Sequence, residues 1–84
     1  MKHKGGIFLK ILSPESQIAG RMVGQVKLPG AAGAFTVLEG HAPLITSLSE
    51  GDIEYTEGAE KRTLHIKSGF AEVADDTVSA CVEV

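Results

Sequence analysis

Cysteine is almost absent. Cys81 stands alone in a chain of 84 residues, so no internal disulfide can staple the fold, and a reducing compartment fits best. Basic charge is also scarce: eight Lys and Arg against eleven Asp and Glu leave a formal charge of -3. That balance excludes the clustered positive surface that nucleic acid demands, and with it a patch for anionic membranes. Long apolar runs are missing too. Residues 7–12, Ile-Phe-Leu-Lys-Ile-Leu, fall far below the roughly 18 to 20 residues of a spanning helix and are too short for a signal peptide. A soluble chain without direct lipid insertion is expected. Helical periodicity is weak throughout, and no repeat, low-complexity tract or linker follows Gly6.

What is present is an ordinary globular composition, 43% hydrophobic and 23% charged, in a length that allows one domain. Scaling surface with mass gives about 4,800 Å² folded against about 12,800 Å² unfolded, so only about 60% can be buried. So thin a core suits a domain that gains stability from a partner. Met1–Gly6, with Lys2, His3 and Lys4, reads as a flexible segment, leaving residues 7–84 as the domain.

Short β-rich runs broken by Gly, Pro, Asp and Ser recur every eight to twelve residues or so, which predicts an all-β fold of sandwich or barrel type. Val78, Ala80, Val82 and Val84 alternate with Ser79, Cys81 and Glu83, placing the valines on an apolar face and Cys81 on the polar one. Turn chemistry at Asp75 and Asp76 makes a hairpin of residues 69–83, and Glu57–Glu60, with Gly58 at its tip, makes another. In that second hairpin Ile53 and Tyr55 should face the same core as Leu64 and Ile66. The first strand should end at Ser13 and Pro14. Val23 and Val26, three apart, would point to opposite faces of a regular strand, which suggests a bulge near Gly24.

Signals for chemistry are weak. Gly30–Ala34 lacks the Lys, the Ser or Thr and the following helix of a phosphate cradle, and reads as a tight turn. His3, His41 and His65 are scattered without zinc spacing. His41 reads as a loop imidazole bonded to local backbone, and His65 as outward-facing. A triad of Ser47, His41 and Asp52 has no elbow motif to support it. Glu50, Asp52, Glu54, Glu57 and Glu60 cluster on one hairpin and read as a solvated face. No catalytic residue, cofactor or metal is expected. A biotinyl- or lipoyl-like carrier with Lys61 near a hairpin tip is the alternative, although Glu60 and Arg62 do not match either attachment motif.

One segment is more specific. Leu28, Pro29, Gly30, Gly33, Phe35, Val37, Leu38, Gly40, His41, Ala42, Pro43 and Leu44 together resemble the signature of the epsilon subunit of F-type ATP synthases. Ile11–Glu15 resembles that family's first strand and turn, and Ser68–Val73 its GGF-x-EV strand, with Ser68 in place of the first glycine. The resemblance spans residues 7–84. It implies an amino-terminal β-sandwich of about ten short strands in two sheets, mounted on the rotor at the cytoplasmic face of the bacterial inner membrane. It further implies that Ser13, His41 and Thr46 face the gamma subunit, and that Ala32 and Ala34 meet the polar loops of the c-ring, where many members carry acidic residues. An apolar patch should therefore be exposed on the isolated domain. The helical hairpin that follows the sandwich in many bacterial members is not in this sequence, so neither ATP binding nor inhibition of hydrolysis is expected of it.

Overall fold

The computed structural model describes residues 6–84, in which all regular structure is β-strand. Nine strands form: β1 (Ile7–Leu12), β2 (Gln17–Val23), β3 (Gln25–Leu28), β4 (Phe35–Val37), β5 (Leu44–Leu48), β6 (Gly51–Glu57), β7 (Glu60–Ile66), β8 (Ser68–Ala74) and β9 (Thr77–Glu83). They make a five-stranded sheet, β2-β1-β9-β8-β5, and a four-stranded sheet, β4-β3-β6-β7. This is the all-β, two-sheet sandwich expected, with nine strands where about ten were anticipated. Of the segment Met1–Gly6, all but Gly6 lies outside the described residues. No helix long and apolar enough to cross a membrane occurs among the described residues.

The core follows from strand alternation, which sends every second side chain to the same face. Ile7, Leu9 and Ile11 of β1 are fully buried, as are Val78 and Ala80 of β9, and Val82 is nearly so. Val26, Leu28, Val37, Ile53 and Ile66 supply the facing layer from the other sheet. Tyr55 and Leu64 pack on that core from the β6–β7 hairpin, as expected. Val84 departs from its expected place: it lies beyond β9 and is exposed. β1 sits between β2, antiparallel, and β9, parallel, so the first strand is secured by the last.

Gly24 is a correction. It is not a bulge but the passage between sheets, because β2 ends at Val23 in one and β3 begins at Gln25 in the other. The Gly24 N–H donates to the Thr56 carbonyl at 2.9 Å. Val23 and Val26 can both be buried because they face the core from opposite sheets. The true irregularity lies earlier, where Ile11 and Leu12 pair with Ala19 and Gln17 and leave Ile18 as the extra residue.

Candidate docking surfaces

The outer face of the five-stranded sheet carries the side chains that alternate with the core. Register places Leu12, Cys81, Phe70 and Ser47 in one row, and Lys10, Ser79, Glu72 and Ile45 in the next. Phe8, Thr77 and Ala74 form a third row, continued on β2 by Met22. Ile45 is 74% exposed and Phe70 55%, far more than side chains of this size show when the chain's own core has a use for them. An open groove of about 440 Å³ runs along Leu12, Ser13, Pro14, Phe70, Cys81 and Val82. The expected apolar patch is there.

The outer face of the four-stranded sheet is different in kind. On it Lys61 bonds Glu54 at 2.9 Å; at the margin between the sheets, on the inward parity of Leu9 and Tyr55, Arg21 reaches across from β2 to Glu57 at 2.8 Å and Arg62 spans Glu57 and Glu60. The hydrogen bond from Lys61, and then its charge, holds the Glu54 carboxyl below the usual carboxylate range and raises the Lys61 ammonium in turn. Arg21 does the same for Glu57. His65 bonds Asp52 at 2.8 Å and Glu50 at 3.3 Å, and these two bonds raise its imidazole above the ordinary 6.5. The acidic hairpin is thus a solvated face, as its composition indicates, and its charges are compensated locally. Lys61 stands inside β7 opposite Thr56, with its amine on Glu54, and not at the tip, which is Gly58 and Ala59. A carrier lysine needs a free, projecting amine, so this placement counts against the alternative.

Between the sheets, the segment Leu28–Leu44 makes two loops. At the first, the Gly33 N–H donates to the Gly30 carbonyl at 2.9 Å. A side chain at Gly30 would collide with the Gly33 carbonyl oxygen and with the Phe35 ring, while Gly33 adopts a φ of 136°. Gly30 is therefore required for space and Gly33 for backbone shape. Ala31–Ala34, all exposed, form the tip, and Ala31 is tied to β5 by its N–H to the Ser47 carbonyl at 2.9 Å. At the second loop, the His41 N–H donates to the Leu38 carbonyl, and Gly40 has a φ of 86°, the shape of the third residue of a type II turn. The His41 Nδ1–H donates to the Ala42 carbonyl at 2.7 Å, and its ring centroid lies 6.4 Å from that of Phe35. Pro43 then precedes β5.

The sequence profile of the ATP synthase delta/epsilon chain, beta-sandwich domain, matches residues 7–84. The chain belongs to that family. The epsilon chain 2 of Syntrophotalea carbinolica is 37% identical over 75 residues, an alignment covering 89% of this chain and 54% of that one. The epsilon chain of Caulobacter vibrioides is 34% identical over 77 residues, 92% of this chain and 90% of its own length. Against the Syntrophotalea relative, then, the chain spans about half the length. Among solved structures, a chain of the Euglena gracilis mitochondrial ATP synthase, in an assembly of OSCP, F1 and c-ring, superposes with a TM-score of 0.88. Its identity is 26%, and the match covers 98% of this chain and 53% of that one.

Within this family fold the five residues singled out from the sequence do not converge. Ser13 follows Leu12 at the groove, half-buried, with its Oγ bonded to the Ser16 carbonyl. It belongs to the same end of the sandwich as Ala32 and Ala34, but three strands and roughly 14 Å across the sheet from β5. His41 follows the Gly40 turn, with its ring beside Phe35 of β4. Thr46 is half-buried on the core-facing side of edge strand β5, its hydroxyl on the Ser47 carbonyl. Ile45, its neighbour, is the one presented outward. Ser47, His41 and Asp52 are engaged elsewhere: Asp52 bonds His65, and His41 Nδ1 bonds Ala42. Sequence reasoning missed Ile45 and Phe70 as surface residues, although parity could have found them, since Phe70 alternates with Ala71 and Val73, and Ile45 with Leu44 and Thr46.

Proposed function

We propose that this chain is the central-stalk subunit of a bacterial F-type ATP synthase and that it fastens gamma to the c-ring. Its task is mechanical: rotation driven by ion flow reaches the catalytic head only if the connection between ring and shaft does not slip. The observation that carries this reading is the apolar band of half-buried Leu12 and exposed Phe70 and Ile45 on one outer face, in a chain whose relatives are epsilon chains. A standard interface takes about 800 Å² from each partner, roughly a sixth of the 5016 Å² surface here. One sheet face can provide that area.

In this reading gamma lies on the outer face of the five-stranded sheet, reaches Ser13 at one end, and wraps the β4–β5 side to meet His41 and Thr46. The tip with Ala32 and Ala34 rests on the polar loops of the c-ring, offering a small apolar contact and no charge. The complex sits peripherally on the cytoplasmic face of the inner membrane. The test is co-elution with purified gamma on a sizing column. The unsubstituted chain should co-elute and Ile45→Asp should not, because a carboxylate would be desolvated without a partner at the interface. Separate elution of the unsubstituted chain would end this reading.

A further inference from the structure

The β8–β9 hairpin turns on two aspartates, Asp75 and Asp76, with φ of 51° and 56°. Both positions of such a two-residue turn favour Gly or Asn, since a left-handed backbone strains other residues. Asp75 is exposed, as a turn aspartate normally is, but Asp76 is only 5% exposed. A buried carboxylate in a strained backbone persists only when its side chain is held by something outside the turn.

That something is the loop carrying His41. Asp76 Oδ1 accepts the Gly40 N–H at 2.6 Å, and the Asp76 carbonyl accepts the Phe8 N–H at 2.9 Å. One residue therefore joins the β8–β9 turn, the start of β1 and the β4–β5 loop. Asp76 Oδ2 is buried and has no hydrogen-bond partner among the described residues, so the short bond to Gly40 is what compensates the carboxylate for its lost water. Gly40 is the residue whose φ of 86° sets the direction in which His41 leaves the turn. Among the described residues, the other side-chain hydrogen bond of residues 38–40 has Glu39 accepting the Gly6 N–H at 3.3 Å.

We propose that Asp76 is a positioning residue: its carboxylate fixes the Gly40 turn and so presents His41 and its neighbours in the shape that gamma binds. This rests on the gamma reading above. Asp76 itself is buried and touches no partner; it acts through Gly40.

The experiment uses three forms of the full chain: unsubstituted, Asp76→Gly and Asp76→Asn. Glycine suits the left-handed turn, so D76G keeps the hairpin and removes only the anchor. Asparagine tolerates the same backbone and keeps an acceptor for Gly40. Amide hydrogen exchange at Gly40 and affinity for purified gamma are both measured, with melting temperature as the check on overall folding. Exchange at Gly40 should quicken at least about tenfold in D76G and gamma affinity should fall about tenfold, with both restored in D76N. Unchanged exchange in D76G overturns the anchor. Faster exchange with undiminished gamma affinity overturns the positioning role while leaving the gamma reading intact. If the unsubstituted chain fails to bind gamma, that reading and the positioning role fall together. A role in stability alone would lower the melting temperature of D76G without moving gamma affinity at concentrations where the chain is folded.

Discussion

The two outer faces of the sandwich flank a single shared core, yet their side chains answer to different neighbours. On the outer face of the four-stranded sheet charges meet counter-charges on the neighbouring strand, with Lys61 on Glu54 and His65 on Asp52. Such a face is complete in water. On the five-stranded sheet, Ile45 and Phe70 are left exposed and an apolar groove lies beside Cys81. That face gains free energy only when something covers it. Strand geometry is common to both, so the difference lies entirely in which residue types occupy the outward parity.

The comparison breaks most completely if the shared core is emptied. Leu9 is fully buried on the central strand β1, and Leu9→Ala should cost about 2–5 kcal/mol, enough to leave a domain this small largely unfolded. Urea denaturation checks it, and a loss below about 1 kcal/mol would mean that β1 is not the keystone of the core.

Next in size is the contrast between the faces themselves. Phe70→Asp should weaken gamma binding by about 2 kcal/mol or more, nearly thirtyfold, as loss of a central apolar contact does. Thr63→Asp, on the exposed strand β7 of the other sheet, should leave it unchanged. Equal losses from both substitutions, read by a binding titration, would erase the distinction. Thr46→Asp also should reduce gamma binding, but Thr46 faces the core side of β5, so its melting temperature should fall as well. Ile45→Asp should reduce binding alone.

Much of this was legible in the residues. Alternation in β9, the Ser13-Pro14 stop and the Gly58 and Asp75-Asp76 turns placed five strands, two hairpins among them. The Leu28–Leu44 signature pointed to the family. Two things were hidden for physical reasons. A strand that passes from one sheet to another at Gly24 has the same local spacing as a bulge, because only the pairing partner distinguishes them. A pair of aspartates at a turn reads as solvated, and the burial of Asp76 depends on Gly40, 36 residues away. The five interface candidates came from resemblance, and the outward parity of Ile45 and Phe70 adds the residues that the motif passes over.

The smallest expected effect sharpens the polar face. Hydrogen bonds to Asp52 and Glu50 raise the pKa of His65 above 6.5, so protonated His65 is favoured by the fold. Its contribution to stability is then fully present below pH 6.5, the unfolded value, and is lost as pH rises through the folded pKa. The effect is screened because these groups are exposed. His65→Gln should flatten the stability profile slightly across that window, with no change in gamma affinity, and a proton NMR titration of the imidazole gives the direction of the shift. A folded pKa below 6.5 would show the acidic pair to be disengaged in solution.

The central claim is that one outer face is covered in the working assembly and the other is not. Cys81 lies in the row between Leu12 and Phe70 and is the chain's one thiol, so it reports on that face without any substitution. The decisive measurement is the rate at which a maleimide labels Cys81, followed by mass spectrometry of this chain, alone and with saturating gamma. The account predicts that labelling slows at least about tenfold in the complex. An unchanged rate in a chain demonstrably bound to gamma would contradict it.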